Sequence, residues 1–293
     1  MLNTATLRQT LHTFSILSKA KVVIMMLFAS LTGMLIAPKN LQQPSTMLLG
    51  LLGIGLHAIS SATLNQLFEK NIDQQMQRTQ KRPLASKTMS KHSASILALT
   101  SFTLGSIILW QGTTPTATYL SILTTLSYAI IYTRILKPIT PQNIVIGGLS
   151  GAMPPLLGWA CLQPQIQVQP IILVLIIFAW TPAHFWPLAI HNREDYQRAA
   201  LPMLPNTHGV DFTTHSILAY TVLTSACSLL PFCVGLCSYY YLIAANILNF
   251  RFIYMAYQLH CTKQQPIKVF AYSIIYLYIL FAFLIADHYY LSL

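Results

Sequence analysis

The sequence predicts an all-α polytopic membrane protein, because apolar residues are abundant, charges are scarce and the apolar runs have helical length. Of the 293 residues, 54% are hydrophobic and 8% are charged, whereas soluble domains carry about 25% charged residues. A hydrocarbon core of about 30 Å is crossed by roughly 20 apolar residues in a helix. Nine segments reach or approach that length, within a single predicted transmembrane domain that covers residues 1–293. The predicted spans are residues 21–37, 46–66, 93–111, 115–133, 143–161, 170–190, 216–236, 238–258 and 269–287.

The basic residues predict the orientation of these spans. Lys and Arg collect on the cytoplasmic side of membrane proteins. If the N-terminus is cytoplasmic, all of the 17 Lys and Arg except Lys39 fall on the cytoplasmic side. The sequence therefore predicts a cytoplasmic N-terminus and an external C-terminus. Topology also explains the net charge of +11, so no nucleic-acid partner is expected.

The few acidic residues point to a site at the cytoplasmic face. After the second span, Asn65, Glu69 and Asp73 are spaced four residues apart, which places them on one face of a helix. Two carboxylates and an amide suit a divalent metal that carries a phosphorylated ligand, and ligands with only oxygen donors favour Mg²⁺. The alternative is a solvated helix end with its own ionic neighbours. The basic residues that follow, ahead of a helix-breaking Pro83, are Arg78, Lys81 and Arg82.

A second acidic stretch follows the sixth span. His184, His191 and Asp195 share one helical face if the helix continues through Pro187. The two acidic stretches are therefore expected to meet at the same membrane surface. The polar residues at the cytoplasmic end of this stretch are Asn192, Arg193, Glu194 and Asp195.

Other features of the spans allow a structural or a functional explanation. Pro154 and Pro155 predict a kink in the fifth span. His184 lies within a predicted span, where ionisable side chains are rare and usually functional; the alternative is a neutral histidine hydrogen-bonded between helices. Trp186, like Trp159, Trp180 and Phe185, is either a core or interface aromatic or a wall for a flat or isoprenoid ligand.

Four stretches resemble one family of membrane enzymes. They read NxxxExxxDxxMxRTxxRPL from Asn65, TPQNIVIGGLSGAMPPLLGW from Thr140, WTPAHFWPLAI from Trp180 and EDYQRAALPMLP from Glu194. The first is similar to the first acidic motif of the UbiA superfamily of membrane prenyltransferases. The four together resemble the protohaem IX farnesyltransferase branch of that superfamily, and the resemblance covers essentially the whole chain.

The resemblance implies nine helices around a central cavity that opens toward the cytoplasm. It implies that Mg²⁺ and the two acidic motifs bind farnesyl diphosphate, and that haem B is the acceptor. Addition of the farnesyl group and water at the 2-vinyl group would give haem O and diphosphate. The aromatic faces of Trp186 and Tyr128 would stabilise the cationic farnesyl group by cation–π contact. The expected location is a bacterial inner membrane, within the lipid bilayer, with haem A synthase and terminal oxidase assembly as candidate partners.

The resemblance also assigns roles to residues of this chain. The second motif departs from a DxxxD pair, since Asn192 and Tyr196 stand at its ends, and Asp195 is the favoured metal ligand there. His184 is expected either to bind the haem iron or to orient a phosphate. The residues expected to act in catalysis are Asn65, Glu69, Asp73, His184 and Asp195. Those expected to bind substrate are Arg78, Lys81, Arg82, Lys137, Trp186, Asn192, Arg193 and Tyr196. Those expected to bind metal are Glu69, Asp73, Glu194 and Asp195.

Two alternatives remain at this point. One is a related enzyme that prenylates an aromatic acid or a quinone precursor, whose acidic face would look the same. The other is a membrane haem carrier or transporter. A transporter would be expected to place polar groups near the middle of the membrane, whereas the acids here are predicted at one interface, which favours an enzyme.

Overall fold

The computed structural model describes residues 12–291, and in this part of the chain the elements are helices, with no strand. The helix Pro115–Leu126 continues into a π-helix, Ser127–Leu136, and a helical turn, Lys137–Ile139. The α-helices are α1 Ala20–Leu35, α2 Pro44–Gln75, α3 Lys91–Gly112, α4 Pro115–Leu126, α5 Asn143–Ala152, α6 Pro154–Leu162, α7 Val168–His191, α8 Arg193–Arg198, α9 Leu204–Thr207, α10 Gly209–Cys233, α11 Tyr239–Thr262 and α12 Pro266–Ala286.

Seven helical segments among the described residues are long and apolar enough to cross a membrane. The all-helical, multi-pass prediction is therefore confirmed. The α1 helix is apolar but has only 16 residues, and α11 is not among the seven. Nine spans and the orientation of the termini stay predictions. The seven segments are Pro44–Gln75, Lys91–Gly112, Pro115–Ile139, Asn143–Leu162, Val168–His191, Gly209–Cys233 and Pro266–Tyr289.

The α2 helix carries the first acidic motif and ends well before Pro83, where the sequence predicted that the helical run would stop. Met76 already has extended backbone dihedral angles. The Thr79 hydroxyl donates a hydrogen bond to the Asp73 carbonyl oxygen at 3.1 Å. Threonine side chains compete with the helical ladder in this way, so the chain turns back toward the end of α2 and residues 77–83 form a loop.

Prolines affect the fifth and sixth spans differently. The predicted kink in the fifth span is confirmed, because α5 ends at Ala152 and α6 begins at Pro154. The α7 helix contains Pro187 in its interior and continues to His191. Asp195 lies on the separate helix α8, so the expectation that it shares one continuous helical face with His184 is wrong.

Two glycines allow α1 and α6 to pack with their backbones almost in contact. A Cβ atom added to Gly158 would lie 1.9 Å from the Ser30 carbonyl oxygen. A Cβ atom added to Gly33 would lie 1.9 Å from the Pro155 carbonyl oxygen. Small residues permit this close approach between membrane helices, so the proline-containing α6 is fixed against α1.

The α7 helix forms the centre of the bundle. It packs against α5, α10 and α12. In its most apolar stretch of 18 residues, 72% of the residues are buried, which is the largest share among the seven segments. A buried helix needs apolar side chains all around its circumference. The chain leaves α7 at His191 and enters the second acidic stretch, which therefore starts from a rigid, central element.

Candidate active site

The first acidic motif forms a buried polar face at the C-terminal end of α2. Asn65, Glu69 and Asp73 are 2%, 3% and 2% exposed. Their four-residue spacing places them along one side of the helix, as predicted. Buried carboxylates are stable only when they are paired and hydrogen-bonded, so the partners of each group determine what this face can bind.

Glu69 is paired with a lysine from the turn that follows the π-helix. Lys137 Nζ donates to Glu69 Oε1 at 2.5 Å, and the side chains of Lys137 and Glu69 are 13% and 4% exposed. Arg82 Nη1 lies 3.9 Å from the other carboxylate oxygen, Oε2. Lys137 was predicted from the sequence to be one of the cations that neutralise phosphate charge, and its ammonium group lies against the first acidic motif.

Asp73 is paired with an arginine from the loop after α2. Arg82 Nη1 lies 2.9 Å from both oxygens of the Asp73 carboxylate. The side chain of Arg82 is 17% exposed. Because the loop returns to the helix that precedes it, Arg82 contacts both carboxylates of the motif.

Asn65 is held by two residues that the sequence analysis did not place in the site. Its Oδ1 accepts a hydrogen bond from Lys19 Nζ at 2.6 Å, and its Nδ2 donates to Thr133 Oγ1 at 3.1 Å. Lys19 Nζ also lies 3.4 Å from Tyr128 Oη. Burial, and then the nearby positive charge of Arg82, lower the pKa of Lys19 to about 7. Lys19 precedes a predicted span, where a lysine is usually explained by membrane topology alone, so nothing in the sequence indicated its role in the site.

The donor set suits a metal that is shared with a phosphorylated ligand. The described residues hold no cluster of three or more His, Cys, Asp or Glu side chains that could bind a metal by themselves. Glu69, Asp73 and the Asn65 amide supply oxygen atoms only. Mg²⁺ is commonly held by one or two carboxylates together with substrate phosphates and water. The residues present therefore fit Mg²⁺ with a diphosphate.

Asp195 brings the second acidic stretch to the first. It is 6% exposed, and its two carboxylate oxygens accept hydrogen bonds from the peptide N–H groups of Gln77, at 3.2 Å, and Arg78, at 3.0 Å. The Arg198 side chain also donates to it. Burial by itself would raise the pKa of Asp195, but the hydrogen bonds from Arg78, Arg198 and Gln77 outweigh burial and hold it below its usual value.

The remaining residues that the sequence predicts for the site surround the contact between Asp195 and the loop after α2. Arg78 and Lys81 are exposed on the loop after α2, and Arg193 and Glu194 are exposed on or beside α8. Asn192 donates to the Leu188 carbonyl oxygen at 2.9 Å and ends α7. Tyr196 is buried. The structure thus brings Asp195 to the loop of the first motif and leaves the Glu194 carboxylate at the surface.

His184 lies in a different environment, between α7 and α12. Its ring is stacked between Trp180, at 4.1 Å, and Phe270, at 4.5 Å between centroids. Ser273 Oγ donates to the Phe270 carbonyl oxygen at 2.6 Å. The same hydroxyl must then accept from His184 Nδ1 at 2.7 Å, which assigns the proton of a neutral ring to Nδ1 and the lone pair to Nε2.

The two aromatic residues singled out in the sequence are also packed. Trp186 is 2% exposed and packs edge-to-face on Tyr220 with centroids 5.3 Å apart. Its indole Nε1 has no hydrogen-bond partner within the described residues. Tyr128 stacks on Tyr132, and Lys19 Nζ lies 5.9 Å from the Tyr128 ring centroid. Tyr128 therefore lines the acidic site, whereas Trp186 packs beside α10.

Comparisons with known proteins agree with this geometry. Residues 26–285 match the UbiA prenyltransferase family. The chain is 45% identical over 278 residues to "Protoheme IX farnesyltransferase" of Nitrosococcus oceani, covering 94% of this chain and 93% of that protein. It is also 45% identical over 279 residues to "Protoheme IX farnesyltransferase 1" of Pseudomonas aeruginosa, covering 93% and 92%.

Solved structures share the fold at low sequence identity. A digeranylgeranylglyceryl phosphate synthase aligns with a TM-score of 0.78 and 20% identity, over 96% of this chain and 99% of that one. The apo UbiA homologue of Aeropyrum pernix aligns with a TM-score of 0.73 and 16% identity, over 92% and 98%. A UbiA homologue of Archaeoglobus fulgidus bound to GPP and Mg²⁺ aligns with a TM-score of 0.66 and 13% identity, over 94% and 99%. The family predicted from the sequence motifs is confirmed: the chain belongs to the UbiA prenyltransferase family.

Proposed function

We propose that this protein transfers the farnesyl group of farnesyl diphosphate to the 2-vinyl group of haem B, with addition of water, giving haem O and diphosphate. The observation that carries the diphosphate chemistry is the buried pair Glu69 and Asp73, each bound by a cation from another segment. The choice of haem as acceptor is supported by the relatives, which are protohaem IX farnesyltransferases at 45% identity over more than nine tenths of the chain.

The charges of the site suit a diphosphate that arrives with a metal ion. Two carboxylates, Glu69 and Asp73, face three basic side chains, Lys19, Arg82 and Lys137. When Lys19 is protonated the site has one positive charge in excess, which attracts a negatively charged complex of Mg²⁺ and a diphosphate ester. Glu69 and Asp73 would hold the metal. Arg82 and Lys137 would then move from the carboxylates to phosphate oxygens a short distance away.

This arrangement stabilises the leaving group. When bound, Mg²⁺ would supply positive charge to the diphosphate as its bond to the farnesyl chain weakens. Arg82 and Lys137 add further positive charge, and fixed charges in a site that excludes water are the largest source of catalysis in many enzymes. The low exposure of Glu69 and Asp73 indicates that bulk water is kept from the acidic face, which protects the reactive farnesyl carbon from hydrolysis.

The acceptor step follows from the charge on the farnesyl group. As the C1–oxygen bond breaks, the terminal vinyl carbon of haem B attacks C1 and forms the new carbon–carbon bond. Water then bonds to the other vinyl carbon and releases a proton. The face of Tyr128, at the edge of the acidic site, would stabilise the cationic chain by about 1–2 kcal/mol. Trp186 would act similarly along the apolar chain.

The topology is part of the proposal. Helices occupy all nine segments that the sequence predicts to span the membrane, which supports nine spans. The distribution of Lys and Arg supports a cytoplasmic N-terminus and an external C-terminus, and a central cavity is proposed from the family resemblance. The bacterial inner membrane is the proposed location. Glu194, exposed on α8, is the second-motif carboxylate available to the metal. Haem A synthase and terminal oxidase assembly would use the product.

Product analysis with the purified chain tests this function. The protein in lipid nanodiscs is incubated with farnesyl diphosphate, haem B and Mg²⁺, and the product is identified by mass. A haem of the mass of haem O is expected. A parallel reaction with 4-hydroxybenzoate in place of haem B should give no product, and a prenylated benzoate without haem O would assign the protein to another acceptor class.

A substitution at Asp73 tests the role of the acidic site separately from the stability of the fold. Asp73→Asn keeps the shape of the side chain and removes its charge, so turnover should be abolished while haem B still binds. Binding is measured by the absorbance change on haem titration. Retained turnover in this variant would refute the metal–diphosphate site on α2.

A further inference from the structure

Asp195 connects two segments that lie far apart in the sequence. Its partners Gln77 and Arg78 are 118 and 117 residues away. Both of its oxygens are used, one for each peptide N–H group, and Arg198 donates to the oxygen that Gln77 also uses. A carboxylate that accepts two successive peptide N–H groups sets the orientation of that backbone.

The loop that Asp195 contacts carries the basic residues of the first motif. The loop leaves α2 at Met76, which is buried, and returns at Arg82 to the Asp73 carboxylate. Thr79, 2% exposed, lies between these two attachments. Asp195 therefore holds the start of the loop, and Arg82 holds its end.

The break between α7 and α8 places the carboxylate at this position. Asn192 has φ −100° and ψ 25° and donates to the Leu188 carbonyl oxygen. The chain then turns into α8, where Asp195 is buried and its neighbour Glu194 is exposed. Had α7 continued as one helix, Asp195 would not have been placed by this turn.

We propose that Asp195 is a positioning residue: it holds the loop of residues 76–82 so that Arg78 and Arg82 are directed toward a bound diphosphate, and it is not itself a metal ligand. This proposal rests on the proposed function. In it, the second acidic motif positions the loop that follows the first motif. The carboxylate already accepts three hydrogen bonds, from Gln77, Arg78 and Arg198, and has about four lone-pair sites, so most of its capacity is used to hold the loop.

Proteolysis of the loop tests the positioning role without any need for activity. Trypsin cleaves after Arg78 and Lys81, whose side chains are exposed, when the loop backbone opens; the Arg82–Pro83 bond is not a trypsin site. In Asp195→Asn, in full-length protein in nanodiscs, the rate of cleavage within the loop should rise about tenfold, because a hydrogen bond to an ionised group contributes roughly this factor to a closed state. The fragments are identified by mass.

Two further variants make this measurement specific. Arg198→Gln keeps both peptide hydrogen bonds to Asp195, and its loop should be cleaved at a rate between those of the native protein and Asp195→Asn. Asp211→Asn removes an exposed carboxylate that pairs with Lys263 at 2.9 Å, and cleavage within the loop should be unchanged. Equal cleavage rates in Asp195→Asn and the native protein would refute the proposal.

Kinetics distinguish positioning from metal binding. In Asp195→Asn, KM for farnesyl diphosphate should rise about tenfold, while the Mg²⁺ concentration for half-maximal rate stays the same. Arg78→Ala should also raise KM, and the double variant should be no worse than Asp195→Asn alone, because Asp195→Asn already removes the contact that Arg78 makes with the diphosphate. A tenfold higher Mg²⁺ requirement in Asp195→Asn would instead show a metal ligand.

The two readouts also separate this proposal from the function on which it rests. If the native protein makes no haem O but Asp195→Asn opens the loop to trypsin, the proposed reaction fails and the role of Asp195 in holding the loop stands. If haem O is made and the loop of Asp195→Asn is cleaved no faster, the function stands and the positioning role fails.

Discussion

Replacing Lys137 by Met should reveal how strongly the acidic site depends on its cations. The substitution keeps a long side chain and removes the ammonium group that lies 2.5 Å from Glu69. The Glu69 side chain is 4% exposed, and the nearest remaining cation is Arg82 at 3.9 Å. Removing one partner of a buried ion pair costs about 3–5 kcal/mol. Since Arg82 remains, we expect Lys137→Met to lower the free energy of unfolding by about 3 kcal/mol, the lower end of that range.

A double variant separates stability from catalysis. In Glu69→Gln/Lys137→Met both charges are absent, so no uncompensated charge stays buried. The free energy of unfolding should then return to within about 1 kcal/mol of the native value. Turnover should not return, because the carboxylate proposed to hold the metal and the cation proposed to bind the diphosphate are both missing.

The assay is denaturant unfolding of the full chain in mixed micelles, with haem O formation measured on the same preparations. Lys70→Met is the matched control, since Lys70 neighbours Glu69 in the sequence and forms no ion pair within the described residues. Its free energy of unfolding should change by less than about 0.5 kcal/mol. The reasoning is refuted if Lys137→Met is as stable as Lys70→Met, or if the double variant regains native turnover.

Two further predictions concern packing and helix ends, and both use the same unfolding assay. Gly158→Ala should cost about 1–3 kcal/mol, because its Cβ would lie 1.9 Å from a backbone oxygen; Gly151→Ala, with nothing within 4 Å of its Cβ, should instead raise stability by up to about 1 kcal/mol. Equal effects at the two glycines would contradict the close contact of α1 with α6. Asp287→Asn should cost about 1–2 kcal/mol, because the carboxylate accepts from the Ser238 backbone N–H at 2.6 Å and hydroxyl at 2.5 Å at the start of α11. An unchanged free energy of unfolding would show that this contact does not stabilise the N-terminal end of α11.

Much of the first motif could be predicted from the sequence because it depends on local geometry. Asn65, Glu69 and Asp73 share a face wherever residues 65–73 are helical, and the structure confirms this helix. Membrane helices need long apolar runs, so the helical segments could be predicted from the distribution of hydrophobic residues. Lys137 could be named from the sequence as a cation that neutralises phosphate charge, but its pairing with Glu69 depends on tertiary packing.

The rest depends on contacts between segments that the sequence does not bring together. Lys19 looked like one more basic residue before a span, and only the packing of its segment against α2 brings its ammonium group to Asn65. The end of α2 at Gln75 was missed because a turn follows it, formed by hydrogen bonds from the Thr79 and Gln80 peptide N–H groups to the Met76 carbonyl oxygen and from the Thr79 hydroxyl to the Asp73 carbonyl oxygen.

Asp195 shows the same division between sequence and tertiary structure. Its residue type and its place in an acidic stretch that is predicted to be cytoplasmic could be read from the sequence alone, together with the membrane class, the helical segments and the family. That its carboxylate meets the peptide groups of Gln77 and Arg78 was decided by the turn after α7 and by the packing of α8 against the distant loop that follows α2. The helical periodicity of the sequence predicts which side chains are neighbours on one helix. Contacts between side chains of distant segments depend on how the whole chain packs.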